Sequence, residues 1–122
     1  MNRAFTVLIA LVLGGLLPPM AHGQKQTEQY VPLGSSPGVS GKSSRIGTID
    51  AVNAQAKTLT VQTPEGRFDA RVTARTRIWI DRSQQKQSTQ TGAFQDLKTG
   101  RRVEVKYEDA ERRGNAEWIK IE

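Results

Sequence analysis

Residues 43–122 predict an all-β domain, and three observations carry that reading. After Lys42 apolar and polar residues alternate in short segments. Turn residues separate those segments at intervals of roughly 8 to 15 residues, the spacing of short strands in a small sandwich or barrel. The one stretch with helical spacing, Ala93 to Leu97, is a single turn long.

The elements follow in chain order. Arg3 precedes an apolar run from Ala4 to Leu17, then Pro18, Pro19 and the small-residue ending Ala21-His22-Gly23, the layout of a secretory signal peptide over residues 1–23. The run is about 14 residues, short of the ~20 that cross a bilayer, so cleavage near Gly23 and no stable membrane insertion are expected. An exported product, periplasmic or secreted, follows. Residues 24–42, "QKQTEQYVPLGSSPGVSGK", are rich in Gln, Ser, Gly and Pro and read as a flexible linker, with Tyr30, Val31 and Leu33 as its docking point.

The first strand is expected over Arg45–Val52, with Gly47 allowing a bend or bulge. "NAQAK" turns the chain into Thr58–Gln62, and Pro64-Glu65-Gly66 makes the next hairpin. From Arg67 to Asp81 the alternation is nearly unbroken, with Phe68, Ala70, Val72, Ala74, Thr76, Ile78 and Ile80 on one parity and Arg71, Arg75, Arg77 and Trp79 on the other. A straight strand of that length would run about 50 Å at ~3.3 Å per residue, so it must break near Thr73 to Thr76. Arg82 to Gly92 has no periodicity and reads as a mobile loop. Phe94 and Leu97 then plug one end of the domain, and Gly100 permits a positive φ before Val103, Val105 and Tyr107 alternate inward. In the last strand Ile119 and Ile121 point one way, Trp118 and Lys120 the other. Five to six strands with one short helical turn make a small OB-like barrel, with a small open sandwich as the alternative.

The stretches "RIGTIDAVNAQAKTLTVQTPEG", "FQDLKTGRRVEVKY" and "AEWIKIE" resemble a family of exported bacterial domains of unknown function. The shared pattern is G-x-I, then T-L-T-V, then D-L-K-x-G-x-x-V-x-V, then A-x-x-I-x-I. Here it falls on Gly47 and Ile49, Thr58 to Val61, Asp96 to Lys98, Gly100, Val103 and Val105, and Ala116, Ile119 and Ile121. The resemblance implies a small periplasmic barrel without an assigned activity. A second likeness is to the periplasmic copper- and silver-carrying barrel, which holds metal through histidine, methionines and a tryptophan. Loss of residues 1–23 removes Met1, Met20 and His22, which leaves no soft ligand for that task.

Composition narrows the function further. Cysteine is absent, so no disulfide staples the domain. Once Arg3 is lost, 17 Lys and Arg stand against 12 Asp and Glu, a net +5 that favours anionic surfaces. Without His or Cys the commonest general bases and the thiol nucleophile are missing, and the expectation is no catalytic residue, no metal site and no cofactor. The first functional reading is a non-enzymatic envelope module that binds a partner protein. The other is a polyanion binder, taking single-stranded nucleic acid or an acidic envelope polymer through Arg71, Arg75, Arg77, Trp79, Arg101 and Arg102, with guanidinium groups on phosphates and an indole for stacking.

Overall fold

The computed structural model describes residues 28–109, 111 and 113–122. The signal-peptide expectation and the first residues of the linker therefore lie outside the described residues. Seven strands form one sheet: β1 (Ser44–Asn53), β2 (Thr58–Thr63), β3 (Gly66–Arg71), β4 (Arg77–Ile80), β5 (Gln90–Thr91), β6 (Arg102–Tyr107) and β7 (Ala116–Ile121). Their order is β3-β2-β1-β6-β7-β4-β5.

That order closes the sheet into a barrel, because β3 and β4 are the two halves of the Arg67 to Asp81 run. The first half pairs antiparallel with β2, and the second pairs parallel with β7. At the joint, Arg71 forms a parallel bridge with Asn115, just before β7, and its N–H donates to Gly114 at 3.0 Å. The circuit β1, β2, β3 with β4, β7, β6 and back to β1 is the OB-like arrangement. The break falls over residues 72–76, where Thr73 N–H donates to Thr76 Oγ1 at 2.9 Å and Thr76 Oγ1 donates to the Ala116 carbonyl at 2.7 Å. The division of this run is as expected, and the expected five or six strands become seven because Gln90–Thr91 adds β5.

The inward parity fills the barrel. Ile49, Leu59, Val61, Ala70, Ile78, Leu97, Val103, Val105, Tyr107, Ile119 and Ile121 form one buried cluster, with Phe68, Val72, Ile80 and Phe94 packed against it. Burial of this apolar surface is what holds a domain without disulfides together. The 3-10 turn Phe94–Asp96 sets the plug, and Asp96 Oδ2 accepts from the Ala93 N–H at 2.7 Å.

Local turns follow their residues. Asn53 Oδ1 accepts from the N–H groups of Gln55 and Ala56, which folds the β1–β2 connection. Gly66, at φ +127, closes the β2–β3 hairpin. Gly47 serves close approach: a Cβ there would overlap the Gln62 carbonyl oxygen and the Val61 and Thr63 side chains. The register shift in β1 lies between Ile49 and Ala51.

Two expectations need correction. Residues 82–92 are not one irregular loop, since Ser83–Gln85 forms a 3-10 turn and β5 pairs with β4 through the backbone. The linker reading does not extend over residues 28–42 either, because they lie on the sheet with Leu33 buried, although Tyr30 is exposed. Leu33, one of the three expected docking residues, is the aliphatic side chain buried there, and main-chain groups with the Ser40 hydroxyl make the rest of that contact, which composition does not reveal. This strap covers the outer face of β6, β7 and β4.

Candidate functional site

The covered face carries Glu104, Lys120, Trp118 and Trp79, each buried. Trp79 has the outward parity expected of it, yet it is not at the surface, because the strap lies over that side. Its ring stacks on Trp118 with centroids 5.3 Å apart. Lys120 Nζ lies 5.1 Å from the Trp118 ring and donates to the carbonyls of Glu28 and Val31 at 2.6 Å each. Glu104 accepts from Gly34 N–H at 2.8 Å and from Ser40 Oγ and Ser44 Oγ at 2.6 Å each.

Burial works against charge here, and the strap compensates it. For Lys120 burial pulls the pKa below the usual lysine value, opposed by Glu104, Asp81 and Glu28. At Asp81 burial pushes the carboxyl up, but N–H donors from Leu33 and Ser83 outweigh it and the pKa ends below the ordinary value.

The opposite side of the barrel is open. A cleft of about 660 Å³ lies along the outer face of β1, β2 and β3, between the Asn53–Gln55 turn and Arg113–Gly114. Thr58, Thr60, Asp69 and Arg71 line it from the strands. Thr60 Oγ1 donates to Asp69 at 2.8 Å, and Arg71 donates to Asn115 Oδ1 at 3.3 Å. Among the described residues neither Arg71 nor Arg113 makes an ion pair, whereas Arg67, Arg75 and Arg102 do. Two arginines with the amides and hydroxyls of the same lining suit a ligand bearing carboxylate or phosphate oxygens, and Arg113 also borders a second cleft beside Arg45 and Glu65.

The six arginine and tryptophan positions singled out in the sequence do not converge. Arg71 belongs to the large cleft. Arg75, Arg77 and Trp79 share a smaller one of about 360 Å³ with Glu28, Glu108, Glu117 and Trp118, and Arg75 pairs with Glu108 at 3.4 Å. Arg101 and Arg102 are held by Glu122, Arg101 Nε on its carbonyl at 2.8 Å and Arg102 on its side chain at 3.1 Å. Asn53, Thr58 and Thr60 carry no signal of their own in the sequence, because only barrel closure brings the two loops beside β3. Arg113 sits near Glu108, Asp109 and Glu111, so that its hairpin reads as a charge-balanced loop and a poor binding site.

Among the described residues no group of three or more His, Cys, Asp or Glu stands together as a metal site, and no helix is long and apolar enough to cross a membrane. No family model, no curated protein and no solved structure matches this chain.

Proposed function

We propose that this chain is a non-enzymatic, exported binding module of the bacterial cell envelope that takes an acidic segment of a partner protein in the cleft beside β1, β2 and β3. The observation that carries the reading is the pair Arg71 and Arg113, two arginines that line one cleft and make no ion pair among the described residues. Signal-peptide character in residues 1–23 and the resemblance to exported bacterial domains support the compartment. Asn53, Thr58 and Thr60 add groups that hydrogen-bond a peptide backbone.

Less supports the polyanion reading. Its stacking indole, Trp79, is 4% exposed, and Arg75 and Arg102 already pair with carboxylates. One titration separates the two: residues 24–122 with a labelled acidic peptide, an acidic polysaccharide and a single-stranded oligonucleotide, at low and near-physiological salt. Saturable binding that favours the peptide and is lost in an Arg71→Ala, Arg113→Ala chain is the expected result. Preference for either polymer makes the protein a polyanion binder, and no binding at low salt overturns both readings.

A further inference from the structure

The face under the strap is built unlike an ordinary covered sheet face. Covered faces are usually aliphatic. This one sets Glu104 opposite Lys120 across β6 and β7, and Lys120 opposite Trp79 across β7 and β4. Both charged side chains are fully buried. Among the described residues no ion pair within 4.0 Å joins them, and four of their five hydrogen bonds end on residues 28–40. Lys120 holds two main-chain carbonyls of the strap, while Glu104 and Asp81 each hold a main-chain N–H, from Gly34 and Leu33. An ammonium on carbonyls beside carboxylates on amides is equipment for gripping a peptide backbone.

The strap in turn behaves as a ligand. Its only buried aliphatic side chain among the described residues is Leu33. Gly34 follows at φ +85, which turns its N–H onto Glu104, and Ser40 supplies a hydroxyl to the same carboxylate. So small an apolar contribution puts the segment at the low-stability end of the fold, where local opening precedes global unfolding. It joins β1 through residues 41–43, where Gly41 is also at positive φ.

We propose that this face is a peptide-binding site, filled in cis by residues 28–43, that accepts the same segment from a second copy of the chain. The second copy is the occupant because this segment has every feature the face reads: an aliphatic anchor, a glycine directly after it and a hydroxyl six residues beyond that glycine. Tethering gives the cis segment a high effective concentration, so exchange between chains emerges where the cis contact is weakened. The site is independent of the cleft beside β1, β2 and β3.

The test is fluorescence anisotropy of a labelled peptide spanning residues 26–43, titrated with residues 24–122 carrying Leu33→Asp. That substitution loosens the cis strap and leaves the face intact. Saturable binding at least tenfold tighter than to the unsubstituted chain is expected, with at least tenfold loss when the peptide itself carries Leu33→Asp. Arg71→Ala with Arg113→Ala added to the chain leaves this binding unchanged. Absence of saturable binding to a Leu33→Asp chain that keeps amide protection in β1, β2 and β3 overturns the proposal. Should that chain not fold, hydrogen exchange on the unsubstituted chain is read instead. Faster exchange at the Leu33 and Gly34 amides than at Val103 and Val105 supports a separately opening strap, and equal rates overturn it.

Discussion

Glu104 and Lys120 stand opposite each other across β6 and β7, both fully buried, yet each directs its hydrogen bonds elsewhere, Glu104 to Gly34, Ser40 and Ser44 and Lys120 to Glu28 and Val31. Removing either charge leaves the other buried beside apolar and aromatic neighbours. Glu104→Gln or Lys120→Met is therefore expected to lower stability by about 3–5 kcal/mol. The double variant should lose clearly less than the sum, because neither of these two charges is then left facing an emptied position, while Asp81 keeps its N–H donors from Leu33 and Ser83. Urea denaturation followed by tryptophan emission reads both. Additive losses would show that the two groups do not sense each other.

Trp79 and its neighbouring arginines are expected to part company. Trp79 lies under the strap against Trp118, so Trp79→Ala should cost about 3–5 kcal/mol through the cavity it leaves. Arg75→Ala and Arg77→Ala alter exposed side chains and should each stay within about 0.5 kcal/mol. Denaturation midpoints of the three single variants settle the matter. A Trp79→Ala chain as stable as the parent would mean that the strap does not cover the indole.

What the residues disclosed and what they concealed divide along a physical line. Side-chain alternation from Phe68 to Ile80 announced the inward face, and the length of that run announced its break at residues 72–76. Phe94, Leu97 and Gly100 announced the plug and the turn after it. Contacts made by the main chain leave no such trace. β5 pairs through the backbone of Gln90 and Thr91, and the strap reaches Asp81, Glu104 and Lys120 largely through its own N–H and C=O groups. Parity also placed Trp79 and Lys120 outward correctly, but outward is not exposed once another segment lies on top. Arg113 was concealed differently, in a loop whose nearby acids make it look balanced.

Gly47 offers a sharp check on the packing of β1 against β2. A methyl group there would overlap the Gln62 carbonyl oxygen, and backbone cannot swing aside as a side chain does. Gly47→Ala is expected to cost about 1–3 kcal/mol, the usual penalty of overpacking. Thermal unfolding provides the comparison, with Gly114→Ala as a control, since a Cβ at Gly114 meets nothing within 4 Å. Equal effects at the two glycines would mean that β1 and β2 do not approach so closely.

Tyr107 should make the fold sensitive to alkali. Burial pushes its hydroxyl up to about 12 from the ordinary 10.0, more than Arg45 and Arg113 pull it down, and Oη donates to the Asp69 carbonyl at 2.8 Å. Below pH 10 the phenol is neutral in folded and unfolded chains alike. Between pH 10 and 12 the unfolded chain releases this proton while the folded chain keeps it, so stability falls as pH rises. A gap of two units corresponds to a loss of about 2.7 kcal/mol once pH exceeds the folded value. Lys120 acts in the opposite sense: its folded pKa lies below 10.5, so the unfolded chain binds more protons between the two values and stability rises there with pH. Subtracting a Tyr107→Phe chain isolates the tyrosine, because the lysine contribution is common to both. That variant should lose about 0.5–1.5 kcal/mol at neutral pH for the missing hydrogen bond and then show a flatter decline above pH 10. Urea denaturation at several pH values from 9 to 12 traces the two curves. Parallel curves would mean that the phenol ionises in the folded chain as readily as in the unfolded one, and equal stability of the two chains at neutral pH would mean that its bond to Asp69 does not hold β3 against β6.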